Sequence, residues 1–163
     1  MKVILYILAG IILMVLQSSI LSIIPVELFK PDFGIPFIIY TTLFLGPHSG
    51  LVTSVLMGFI EEMLSNAPHG SMLFTNVSIF LISTFLRNKL YIDSKYSFAF
   101  VCTGFVIIRS FLFVSLTFLS KAETRDMLNV AFYVFPNAIF TGFLSIFIFS
   151  LVEGINIKYF DKE

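Results

Sequence analysis

Long apolar runs such as Val101–Ile108 and Ile139–Phe149 set the solvent in which this chain can fold. Charged residues make up 12% of the sequence, whereas a soluble domain uses about a quarter to hold its surface in water. Lipid must therefore cover much of the exterior. In lipid, every backbone polar group has to be satisfied within the protein, which permits helices or a closed barrel. A barrel strand alternates lipid-facing and lumen-facing residues over about 10 positions. The apolar runs here show no such alternation, so the expected fold class is all-α, a polytopic transmembrane helical bundle. Net charge is zero, and no basic field points to nucleic acid. The single Cys102 has no disulfide partner and reads as a small buried residue.

Charged, Pro and Gly clusters break the hydropathy into six expected spans within one integral membrane domain, 1–163. They cover about 3–24, 33–45, 50–64, 71–86, 96–119 and 129–152. The first run is too long for a signal-peptide core and lacks a convincing cleavage site, so it is expected to be retained. Spans two to four hold only 13 to 16 residues, against about 20 needed to cross the hydrocarbon. These helices are expected to end inside the protein, or their turns to lie below the headgroups where protein or a cavity covers them.

Six Lys and Arg residues (Lys2, Arg87, Lys89, Lys95, Lys158, Lys162) fall on one side of this topology and three (Lys30, Lys121, Arg125) on the other. The positive-inside rule then places both termini in the cytoplasm. The connections around 93–95 and 121–126 leave no room for a soluble catalytic domain. With 21 Phe and no Trp, interfacial belts would rest on Tyr91, Tyr96, Tyr133 and Tyr159.

Ionisable groups at membrane depth are the informative ones, because burying a charge in hydrocarbon is costly. Arg109 lies near the middle of span five and must find acceptors in the bundle interior. Glu61 and Glu62 lie near the end of span three. Successive residues point about 100° apart on a helix, so only one of them can face Arg109 squarely. Arg109 stands about 15 Å below the outer end of its helix, and a long side chain reaching outward could close much of the gap to the glutamates. Glu61, Glu62 and Arg109 thus form the expected intramembrane charge cluster, with the Arg109 partner left open.

A proton relay needs a chain of titratable groups across the bilayer, and nothing bridges His48 and His69, which lie in turns on opposite sides. No pair among His48, His69, Glu61 and Glu62 has the i, i+4 spacing of a helical metal site, so no metal or cofactor is expected. Gln17, Ser18, Ser19, Asn76 and Ser78 read as interhelical hydrogen-bonding groups. Asn137 follows Pro136, where an amide can satisfy the carbonyl that the proline frees. There is no Gly-rich phosphate loop, and no nucleophile with an orienting base.

Pro31-Asp32-Phe33 opens span two, and Gly58 to Gly70 closes span three. Within the latter stretch Glu62, Ser65, Pro68 and Gly70 hold the register of an acidic residue, two apolar residues, Ser, a turn, Pro, an apolar residue and Gly. On these positions, with Gln17 and Pro136-Asn137-Ala138 as further echoes, the chain resembles the MreD family of bacterial rod shape-determining membrane proteins. It departs from the family in Glu62, where Asp is usual, in Asn66, where Gly is usual, and in His69, where Leu is usual. The resemblance implies a non-enzymatic scaffold of the cell-elongation machinery in the inner membrane. It implies binding to MreC and, through it, association with MreB filaments, RodA and a class B penicillin-binding protein in lateral peptidoglycan synthesis. It also implies a fold similar to the substrate-binding subunits of energy-coupling-factor transporters.

The alternative is such a vitamin-binding subunit itself, since length and span count fit both. Against it, there is no Trp to stack an aromatic ligand. In span one, moreover, Ala9 is followed four residues later by Leu13 and not by a second small residue.

Overall fold

The computed structural model describes residues 32–65, 69–89, 92, 94–119 and 127–160, together with Gly10 and Ile12. The expected first span and its Gln17 otherwise lie outside the described residues, as do Pro31, Asn66 and Pro68. The described chain is all-helical: α1 (Gly34–Tyr40), a π-helical turn (Thr41–Leu45), α2 (Pro47–Leu64), α3 (Ser71–Leu86), α4 (Lys95–Leu119) and α5 (Met127–Phe160).

The centre is α1. Every residue from Gly34 to Tyr40 is buried, and the helix touches each of the other four. A short helix that is apolar all round belongs in a core rather than at a surface. It continues into the π turn through Thr41 and Thr42. Their hydroxyls donate to the carbonyls of Phe37 and Ile38 at 3.0 and 2.7 Å, competing locally with the regular ladder. Gly46, at φ 108°, ends the segment.

The expected Gly46-Pro47-His48 turn is shorter in the structure, because Gly46 alone makes it. Pro47 and His48 are already helical, so α2 starts three residues before the expected Gly50. Proline suits that first position, since its fixed φ is helical and its missing N–H would have had no partner. The last helix is also longer than the expected 129–152, running from Met127 to Phe160. Pro136 lies within it without ending it, and Glu153-Gly154 do not stop it. A single interior Gly only weakens a helix, by about 1 kcal/mol.

Close packing relies on small residues. A Cβ on Gly58 would sit 2.8 Å from the Cα of Leu73, so α2 and α3 meet backbone to backbone there. Gly142 of α5 stands against the Thr103 hydroxyl of α4. Gly10 packs on Phe37 and Met57. Small residues allow this approach in lipid, where no hydrophobic drive pulls helices together. At one end of the bundle Tyr40, Phe44, Phe98 and Phe149 form an aromatic cluster, with centroids 4.8 to 6.5 Å apart.

The outward faces are apolar. Phe85, Phe100, Phe111 and Phe143 are 73 to 82% exposed, a surface that water would not tolerate over this extent. Among the described residues, two stretches, Lys95–Leu116 and Val134–Gly154, are long and apolar enough to cross a membrane.

Candidate functional site

Arg109 belongs to the buried stripe of α4. Phe98, Cys102 and Phe105 precede it at spacings of four and three, and all three are buried. The same helical face therefore carries Arg109 into the bundle. Its side chain is 12% exposed and forks between two carboxylates: Nη1 pairs with Asp32 Oδ2, and Nη2 with Glu61 Oε2. Nη2 also lies 3.6 Å from the sulfur of Met72. A planar guanidinium can serve two acceptors in this way where a single ammonium cannot.

Asp32 does two jobs. Its Oδ1 accepts the N–H groups of Gly34 and Ile35 at 3.0 and 3.3 Å, capping donors at the start of α1 that have no helical partner. Its own N–H donates to Thr141 Oγ1 of α5 at 3.1 Å. Glu61 Oε2 accepts, besides Arg109, the Nδ2 of Asn76 on α3 at 3.0 Å. One connected polar network thus joins the five described helices, which fits the interhelical role expected of Asn76.

Glu62 is turned elsewhere. Its Oε1 accepts the N–H of Gly70, and its Oε2 those of Met72 and Leu73 at 3.1 and 3.3 Å. A carboxylate from α2 therefore caps the first turn of α3, where unpaired N–H groups and the helix dipole favour negative charge. The described members of the sequence motif share this cap. Ser65 is the bend that ends α2, and Gly70 takes the left-handed φ of 84° just before α3. His69 is exposed beside it, and His48 is exposed in the first turn of α2. Pro136 and Asn137 stand half-buried on α5, Asn137 one turn before Thr141. Among the described residues no group of three or more His, Cys, Asp and Glu gathers as a metal site.

Depth is the telling feature. Asp32 begins α1, Glu61 lies one turn from the end of α2, and Asn76 is in the second turn of α3. These ends of the short helices meet at the level of Arg109. From there α4 runs on for ten more residues to Leu119, about 15 Å. The charges thus mark where short helices stop inside the span of a long one.

Asp32 was not legible as an Arg109 partner. The available signal was an Asp immediately before a helix that is apolar on every face, which places a capping carboxylate at the edge of a core. Thr141 carried no signal.

These features define a helical membrane protein, with an apolar exterior and its few interior charges used to join helices. Residues 1–156 match the family described as rod shape-determining protein MreD, and the chain belongs to that family. No curated protein matches it, and no solved structure does. The family is a structural one that determines rod shape in the membrane.

Proposed function

We propose that the chain is a non-enzymatic scaffold of the bacterial cell-elongation machinery. It binds the transmembrane helix of MreC and thereby helps organise MreB, RodA and a class B penicillin-binding protein in lateral peptidoglycan synthesis. The observation that carries this reading is the use of the interior charges. Asp32, Glu61 and Glu62 are occupied by Arg109 or by helix N-termini, as suits a rigid frame.

In this reading the chain is one inner-membrane domain of six spans. Both termini face the cytoplasm, as the distribution of Lys and Arg implies. Short helices that end at membrane depth support the proposed likeness to transporter substrate-binding subunits. The exposed Phe100 and Phe111 of α4, and Phe143 and Phe147 of α5, offer apolar faces to lipid and to the docking helix.

The test places photo-crosslinkers at Phe100, Phe111, Phe143 and Phe147 in cells that also express MreC. The expected result is a crosslink to MreC from at least one face, with loss of rod shape when the chain is depleted. A chain that is recovered only with energy-coupling ATPases would overturn the reading.

A further inference from the structure

Two independent observations around Glu61 ask for the same missing ingredient. Asn76 is fully buried, and its Oδ1 has no donor, although its Nδ2 donates to Glu61 Oε2 at 3.0 Å. A buried acceptor left unpaired is costly, and native proteins rarely leave one.

The second observation is charge. With both carboxylates ionised, Arg109, Asp32 and Glu61 sum to −1, while their side chains are 12, 20 and 16% exposed. An uncompensated charge at membrane depth is disfavoured. Among the described residues, no other charged group compensates it. Glu62, the second carboxylate of α2, is committed to the N–H groups of Gly70, Met72 and Leu73. Among the described residues, the groups that meet Glu61 are Arg109 from α4 and Asn76 from α3. Asp32 at the start of α1 lies on the other arm of Arg109, and the Thr141 hydroxyl of α5 accepts the Asp32 N–H.

We propose that Glu61 is a proton-binding site, a neutral carboxylic acid that carries its proton on Oε1 and donates it to Asn76 Oδ1. Both described donors to Glu61 land on Oε2, which leaves Oε1 for the proton. A protonated carboxyl is a donor as well as an acceptor. Acid and amide then face each other through two hydrogen bonds. Asn76 Nδ2 donates to Oε2, and Oε1 donates back to Oδ1. Arg109 keeps Asp32 as its counter-ion and a neutral oxygen of Glu61 as its second acceptor. The network sums to zero, and the stranded amide oxygen is satisfied. One proton accounts for both observations, and α2 is joined to α3 by uncharged bonds beside the Gly58–Leu73 contact.

The test is infrared spectroscopy of the full chain in lipid nanodiscs. The wild type is expected to show the C=O band of a protonated carboxylic acid, shifting in deuterium oxide and absent from Glu61→Gln. The same variant serves a stability measurement. Gln keeps the shape and presents an N–H to Asn76 Oδ1, so its unfolding midpoint should equal or exceed that of the wild type. Glu61→Ala and Asn76→Leu should each lower the folding equilibrium constant about tenfold or more, the cost of an unpaired buried group. A wild-type spectrum without the band, a band that persists in Glu61→Gln, or a Glu61→Gln protein as unstable as Glu61→Ala would each overturn the proposal.

Discussion

Arg109 reaches back 48 residues to Glu61 with one nitrogen and to Asp32 at the head of α1 with the other. The bundle is therefore closed by a side chain that α4 alone could not accommodate. Removing it should be far worse than blunting it. Arg109→Leu strands the Asp32 carboxylate without its cation, takes a donor from Glu61, and is expected to cost about 3–5 kcal/mol. Arg109→Lys keeps the charge but serves one carboxylate, and is expected to cost about 1–3 kcal/mol. Unfolding of the purified protein by stepwise addition of a denaturing detergent measures both.

Asp32 combines a cap with an ion pair, and substitution can separate the two. Asparagine caps as well as aspartate, so Asp32→Asn keeps the acceptor for Gly34 and Ile35 while removing the charge. Asp32→Ala removes both. The alanine variant is expected to be less stable than the asparagine variant by about 1 kcal/mol, read from the same titration. Equal midpoints would mean that the cap contributes nothing.

Glu62 acts on α3, and its loss should be felt there. Glu62→Ala is expected to destabilise by about 0.5–2 kcal/mol, the usual cost of a lost cap. Hydrogen exchange should rise first at the amides of Met72 and Leu73, the donors that it leaves unpaired. Protection at Ile38 and Ile39 in the buried α1 should change much less.

Gly58 and Gly104 make a matched pair of glycines within helices. A methyl on Gly58 would sit 2.8 Å from the Leu73 Cα, whereas one on Gly104 meets nothing within 4 Å. Gly58→Ala should force α2 and α3 apart, at about 1–3 kcal/mol, the usual range for overpacking. Gly104→Ala should be neutral or stabilising by about 0.5–1 kcal/mol, because alanine is the better helix former. Thermal unfolding in nanodiscs compares them directly.

Much of the architecture follows from local sequence. The apolar runs and scarce charge determine a helical membrane protein. Gly46, Gly70 and Ser94 sit where helices begin or end, because turn geometry and capping are local properties. The interior position of Arg109 is also legible, since it continues the stripe of Phe98, Cys102 and Phe105.

Which carboxylates meet Arg109 was settled by tertiary packing alone. Glu61 and Glu62 are chemically alike and differ by 100° of helical phase. The backbone contact of Gly58 with Leu73 sets the rotation of α2, and with it the choice. Glu61 turns to Arg109 and Asn76, while Glu62 turns to the head of α3. Asp32 joins because the buried α1 brings its capped end to the same depth. Local sequence marks several of the helix ends, but an ion pair between distant segments depends on how the helices are rotated and how deep they lie, and those are properties of the packed bundle.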